Sequence, residues 1–378
     1  TISGGVSMGA NSTNTFTAVT GSSVSSGGGI GLSLGGLLGV NLTFAPTGQV
    51  DGGANGSNTL ILQNPGATGS SGTGTASSAT YVNFNNLTIN GGTWTLQGPL
   101  VSGSTTLNGG ISQFDNSATF GTGAITANGG VIEATANNLT LANLLTLGTG
   151  GLTVQGANTG LTLGGVLSGT GGLTKAGTGQ LILNAANTYT GATTLSGGSV
   201  QLGNDLALSS GAVTVTAAST LQAPGTVSLA NTFTLNDNLT TDVAGTLSLN
   251  GAITGNGGLT QSGAGSLTLN GVNTGFSGAT NLGAGTLVLG NNNALGSGNL
   301  NVTGTANLDT SGASLLNNNV VLTGDLSLLN ANPLTLSGVM SGVGGLTKTG
   351  AGLLTLAGNN TRSGVTSVSY THLRAHET

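Results

Sequence analysis

Short runs of alternating apolar and polar residues recur along most of this chain. QLIL, SLTL and LLTL put Leu181 with Leu183, Leu267 with Leu269, and Leu354 with Leu356 on one side, and Ile182, Thr268 and Thr355 on the other. A period of two is the pattern of a strand with one face buried and one wet. From Tyr81 onward the runs are three to six residues long and are separated by Gly and Asn. No apolar stripe at helical spacing persists, and glycine costs about 1 kcal/mol at each helical position. The pattern predicts an all-β chain.

The runs repeat in blocks. Residues 167–202 return at 253–289 and at 340–368, with Leu173, Leu259 and Leu346 equivalent and 86 and 87 residues apart. An upstream segment, TTLNGGISQF, matches TTLSGGSVQL, with Leu107 and Leu195 separated by 88 residues. Glycine pairs Gly171 and Gly172, Gly257 and Gly258, and Gly344 and Gly345 precede those leucines. One corner is bracketed by Gly177 with Gly179, Gly263 with Gly265, and Gly350 with Gly352; another begins at Asn187, Asn273 and Asn360. Glycine tolerates positive φ and Asn is the commonest other residue there, so each corner is expected at the same place in every copy.

Short strands, fixed corners and a long period imply coils stacked along an axis. With about 20 to 25 residues per coil, one block makes roughly four coils. At about 4.8 Å per coil the stack would form a rod of roughly 80 Å. Each inward leucine contributes about 1.5 to 3 kcal/mol on leaving water, which lets a thin core manage with few aromatics. There are eleven: seven Phe, three Tyr and one Trp. Three regions are expected: an irregular solenoid start over 1–80, a repetitive β-helix over 81–368, and a non-native adaptor over 369–378. The low-complexity run 65–80 reads as a loop excursion. The apolar run 30–44 reads as strand material, too short and glycine-rich for a spanning helix or a leader. The chain reads as an excised middle.

Composition changes this picture only by exclusion. With 3% charged residues and 36% hydrophobic ones, the chain is unlike charged, disordered sequences. A net charge of −5 with four basic residues, Lys175, Lys348, Arg362 and Arg374, gives no footprint for nucleic acid. Without cysteine there is neither a disulfide framework nor a Cys metal site.

Chemistry is sparse. Both histidines, His372 and His376, lie in the adaptor with Arg374 and Glu377, so no Ser-His-Asp arrangement is expected. GLSLG around Ser33 fits a nucleophile elbow but reads as a chance match in so Gly- and Ser-rich a chain. No Walker motif occurs, and the glycine corners carry no Asp at calcium-ligand spacing. Acids that a solenoid lyase or hydrolase would use are Asp115 with Glu133, Asp237 with Asp242, and Asp309 with Asp325. They read as isolated solvated acids at turns. Lys175, Gln261 and Lys348 are equivalent positions, where a solvated corner charge is expected and a catalytic lysine is the alternative. Tyr189 and Phe276 align with Arg362; an aromatic corner plug is expected, a ligand platform being the alternative. Outward Thr rows, as at Thr13 and Thr93, would order water or ice only if coil length were constant, and one-residue insertions argue against that. No catalytic, cofactor-binding or metal residue is expected.

The first block resembles the autotransporter-associated β-strand repeat, or passenger-associated transport repeat. The matching residues are Gly171, Gly172, Leu173, Lys175, Gly177, Gly179, Leu181, Leu183, Asn187, Thr188, Tyr189, Gly191, Thr194, Gly198, Val200 and Leu202. The second copy departs at Gln261 and by an inserted Gly275, the third at Arg362 and by truncation. The resemblance implies a right-handed parallel β-helix, a β-solenoid of stacked coils, serving as a passenger of type V secretion in a Gram-negative bacterium. It implies a C-terminal outer-membrane β-barrel translocator as partner, exposure at the cell surface, and a role of the repeat in transport and folding. On this reading the segment is non-enzymatic and supports adhesion to a host or abiotic surface or to like passengers, with no nucleic acid and no direct membrane insertion. The alternatives are a solenoid carbohydrate-active enzyme and a passive spacer for another domain.

Overall fold

The computed structural model describes residues 2–3, 6–22, 24–25, 48–64, 72–157 and 160–369. The apolar run 30–44, Ser33, most of the loop expected before residue 72, and the tail histidines lie outside them. Among the described residues there is no helix, and neighbouring strands pair in parallel. The chain divides into two compact units, Thr1–Gly191 and Ala192–Thr378. Each is a β-solenoid whose coils run through three sides.

In the first unit one side stacks Thr73–Ser77, Thr93–Gln97, Ile111–Phe114, Val131–Ala134, Leu152–Gln155 and Leu173–Ala176. A second stacks Thr15–Val19, Thr59–Gln63, Asn86–Ile89, Thr105–Leu107, Ile125–Ala127, Leu145–Leu147 and Leu167–Gly169. The third carries Thr140–Leu141, Leu161–Leu163 and Gln180–Leu183. Thr73–Ser77 corrects the loop expected over 65–80, because its Thr-Gly-Thr-Ala-Ser run pairs along Thr93–Gln97. Small residues suit that position: a Cβ at Gly74 would lie 2.5 Å from the Trp94 ring.

The second unit is more regular. Val227, Leu247, Leu267, Leu287, Leu308 and Leu328 stand opposite one another in successive coils, and all six are buried. The inner four stand between like aliphatic residues of the coils above and below, so burial is cumulative and local. A second side runs through Leu239–Val243, Leu259–Gln261, Thr280–Leu282, Leu300–Val302, Val320–Leu322 and Met340–Gly342. Val213–Ala223 turns a corner, pairing at its start with Phe233–Leu235 and at its end with Leu239–Val243. The side that begins at Phe233–Leu235 is taken up further on by Leu315–Leu316, Leu334–Leu336 and Leu354–Leu356.

Two expectations about the corners need correction. Paired strand residues on adjacent coils of this unit are 20 or 21 apart, so 87 residues are four coils and about a third more, not a whole number. Leu259 therefore pairs with Leu239, while its equivalent Leu346 lies on the next side, opposite Leu326. Likewise Leu267 and Leu269 occupy one side and Leu354 and Leu356 another. Leu354 is half-buried and Leu356 exposed, since among the described residues their strand has a neighbour on one edge only.

The second correction concerns why the corners are Gly and Asn. Asn187, Asn273 and Asn360 do not adopt positive φ, and of the bracketing glycines only Gly177 does, at 68°. The left-handed positions common to the three copies are Gly169, Gly255 and Gly342, at 100°, 100° and 102°. At the bracketing corner the requirement is clearance between coils instead: a Cβ on Gly263 would sit 2.2 Å from the backbone nitrogen and oxygen of Val243.

Candidate functional surface

The residues singled out in the sequence fall into an interior set and an outward set. Lys175, Gln261 and Lys348 belong inside, contrary to their expected solvation: they are 2%, 0% and 6% exposed. Alternation explains this. In Leu-Thr-Lys and Leu-Thr-Gln the third residue points the same way as the leucine, and Lys175 stands opposite Val154, Lys348 opposite Leu328. Each then reaches the carbonyls of its own glycine corner. Lys175 Nζ donates to Ala176 O at 2.7 Å and Gly177 O at 3.0 Å, and Lys348 Nζ donates to Gly350 O. Gln261 Nε2 donates to Gly263 O at 2.9 Å, while its Oε1 accepts from Thr241 Oγ1 at 2.7 Å. Burial lowers the Lys175 pKa from 10.5 to about 8 and moves that of Lys348 downward as well.

Asparagine clamps join one coil to the next. Asn187 Oδ1 accepts from Leu167 N at 2.9 Å, Asn273 Oδ1 from Ile253 N at 2.7 Å, and Asn360 Oδ1 from Met340 N at 3.1 Å. A backbone N–H at the start of a strand is thus satisfied by the coil above it, which removes the cost of an unmet buried donor. Tyr189 and Phe276 are fully buried. Phe276 forms a backbone bridge with Gly255, and room for its ring is left by Gly278, where a Cβ would lie 2.9 Å from it. Arg362, in the same place of the third copy, donates to Gly364 O at 2.8 Å and to Thr366 Oγ1.

The acids are placed separately. Asp115 Oδ1 accepts from Gly98 N, Asp237 Oδ1 from Asn238 N, and Asp325 Oδ1 from Gly345 N. Glu133, Asp242 and Asp309 sit on strands, not at turns. Glu133 Oε2 accepts from Gln113 and Gln155 on the coils either side, and Asp242 Oδ2 from Gln222. Among the described residues no hydrogen bond joins any of the three acid pairs, and no group of three acids or histidines is placed to hold a metal.

What remains is the outward surface, where side chains repeat as rows. On one side of the second unit the row is Thr226, Thr246, Ser266, Thr286, Asn307, Ser327, Thr347 and Ser367, each opposite the next. Ser228, Ser248, Thr268, Val288 and Asp309 form a second row two residues along. The one insertion here, between Thr286 and Asn307, is taken up at a corner and leaves the pairing intact. Irregular coil length was expected to prevent regular rows, and it does not. Elsewhere outward side chains bond one another, as in Thr234 to Thr254 and Asn301 to Asn281. By contrast Thr246, Ser266, Ser327 and Thr347, each half-buried, make no side-chain hydrogen bond within the protein. No helix among the described residues is long and apolar enough to cross a membrane.

The family described as the passenger-associated transport repeat matches residues 173–202, 259–289 and 346–369. Over 121 residues the chain is 39% identical to a protein of Brucella suis biovar 1 (strain 1330) named adhesin BmaC autotransporter, an alignment covering 31% of this chain and 4% of that protein. The chain matches no solved structure.

Proposed function

We propose that this chain, which carries three passenger-associated transport repeats, is a non-enzymatic segment of an autotransporter passenger. It is exported across the outer membrane of a Gram-negative bacterium by way of a C-terminal β-barrel translocator and is exposed at the cell surface. Its interior residues serve folding of the solenoid outside the cell, and its outward rows serve adhesion or self-association. The similarity to a protein named as an autotransporter adhesin supports this reading. The observation that carries it is the row from Thr226 to Ser367, eight coils of short neutral side chains in which most hydroxyls bond nothing in the protein. Such groups donate and accept, and no charge in that row opposes close approach of another neutral surface.

The test displays the segment on cells through a fused translocator and follows cell settling and attachment to surfaces. Replacing Thr246, Ser266 and Ser327 together by Lys is expected to abolish both while circular dichroism is unchanged. Retained settling and attachment would remove the row from the function. The enzymatic alternative is tested by incubating the purified segment with a panel of polysaccharides. New reducing ends or unsaturated sugars, lost in Asp309→Asn or Asp237→Asn, would overturn the non-enzymatic reading.

A further inference from the structure

Seven Asn-Gly pairs occur in the sequence, beginning at Asn55, Asn90, Asn108, Asn128, Asn250, Asn256 and Asn270. This is the dipeptide most prone to lose its side-chain amide spontaneously, because glycine leaves the following nitrogen unhindered. That nitrogen attacks the Asn Cγ: a C–N bond forms, the nitrogen gives up its proton, and the side-chain nitrogen leaves as ammonia. Water then opens the cyclic imide at either carbonyl, giving Asp or isoaspartate, with no change of oxidation state. The reaction needs a side chain free to rotate over the next peptide and a peptide nitrogen free to meet it.

The fold withholds one or other of these at six of the seven pairs. Asn108 Nδ2 donates to Asn90 Oδ1 at 2.9 Å, and Asn128 Nδ2 donates to Asn108 Oδ1 at 2.8 Å. Asn270 Nδ2 donates to Asn250 Oδ1 at 2.7 Å, and Asn250 Nδ2 to Ser228 Oγ at 2.8 Å. These amides are exposed, so burial does not protect them; stacking on the neighbouring coil does. Asn256 has an exposed side chain with no partner, but Gly257 N is committed to Leu235 O at 2.8 Å. Asn55 differs on both counts. It is exposed in a turn at φ 59°, neither its amide nor Gly56 N makes a hydrogen bond, and it lines an open cleft of about 430 Å³.

We infer that Asn55 is the site of spontaneous amide loss in the folded protein, and that the inter-coil amide stacks hold Asn90, Asn108, Asn128, Asn250 and Asn270 against the same reaction. The inference is independent of any binding role. To test it, the folded protein is held at mildly alkaline pH, and its proteolytic peptides are followed by mass spectrometry for amide loss and for isoaspartate. A sample unfolded in urea serves as reference. Asn55 should convert first. The five stacked residues should convert at least about tenfold more slowly folded than unfolded, the slowing that a local opening cost of about 1.4 kcal/mol imposes. In urea all seven should converge. Asn108→Ala should release Asn90 and Asn128 without changing the circular dichroism spectrum. Equal rates at Asn55 and the stacked residues in the folded protein, or equal folded and unfolded rates at the latter, would overturn the inference. Should the variant fail to fold, the folded-to-unfolded ratio of the parent still decides.

Discussion

The two units fill their interiors by different means. In the first, hydrogen-bonded partners on adjacent coils are separated by 18, 20 and 22 residues within one outward row. Its core contains Trp94, Phe84, Phe114 and Phe120, the last two packed edge to face at 5.0 Å, and Trp94 Nε1 donates to Gly91 O. In the second unit the paired strand residues of adjacent coils are 20 or 21 apart and the core is mainly ranks of leucine and valine. Coils of unequal perimeter leave interior gaps of unequal size, and large rings of fixed shape fill them one by one. Coils of equal perimeter let the same aliphatic side chain recur. Regularity thus replaces bulk as the source of close packing.

This contrast can be broken most forcefully at Trp94. Trp94→Ala should destabilise the first unit by about 3 to 5 kcal/mol, because no neighbouring rank can close over the space. Chemical denaturation followed by hydrogen exchange should place the loss in coils around residues 74–114, and a cost below about 1 kcal/mol would show that the rings do not set those coils. Leu267→Ala in the second unit should cost about 2 to 4 kcal/mol, with protection lost in the strands of Leu247 and Leu287 alike. Loss confined to one coil would contradict the cumulative ladder.

Asn273→Ala tests the clamps. It leaves the Ile253 N–H and the Ala294 carbonyl without the partners they now have, and should cost about 1 to 3 kcal/mol. A neutral result in urea titration would mean water takes over both groups.

The smallest effect sharpens a comparison between copies, Lys175 against Gln261. The folded pKa of Lys175, about 8, lies below its ordinary 10.5. Between those values the unfolded chain holds a proton that the folded chain has released, so stability should rise as pH goes from about 8 to 10 and be lowest below 8. Above that, buried Tyr81, whose pKa is raised by desolvation, acts in the opposite sense. Lys175→Gln should keep the corner bonds, as Gln261 does, and reduce the slope to the part that Lys348, lowered in the same direction, contributes. An unchanged slope would assign it elsewhere.

Much of this was legible beforehand. Leu181, Leu183, Leu267 and Leu269 lie inward as their alternation requires, and parallel coils follow from short strands and recurrent turns. Lys175 and Lys348 were misread because a charge outweighed the period-two pattern that put them beside leucine. Their compensation, backbone carbonyls at a glycine corner, is a tertiary arrangement without a sequence signal of its own. Asn187 and Asn273 were read for backbone conformation, whereas their use is a hydrogen bond to a residue twenty positions earlier. The uncommitted hydroxyls of the row at Thr246 could not be separated from other Ser and Thr without knowing which of them neighbouring coils engage.

The fractional coil count has a consequence for how such chains change length. Excising one repeat between Leu259 and Leu346 joins the strand of one side to a successor that belongs on the next. Everything after the junction is turned by a third of a revolution, and hydroxyl-bearing strands are spliced onto differently decorated ones. Loss or gain of three repeats at once restores the original alignment. Unequal recombination among these copies would therefore yield shortened proteins with new surface combinations, while triplet changes alter reach alone.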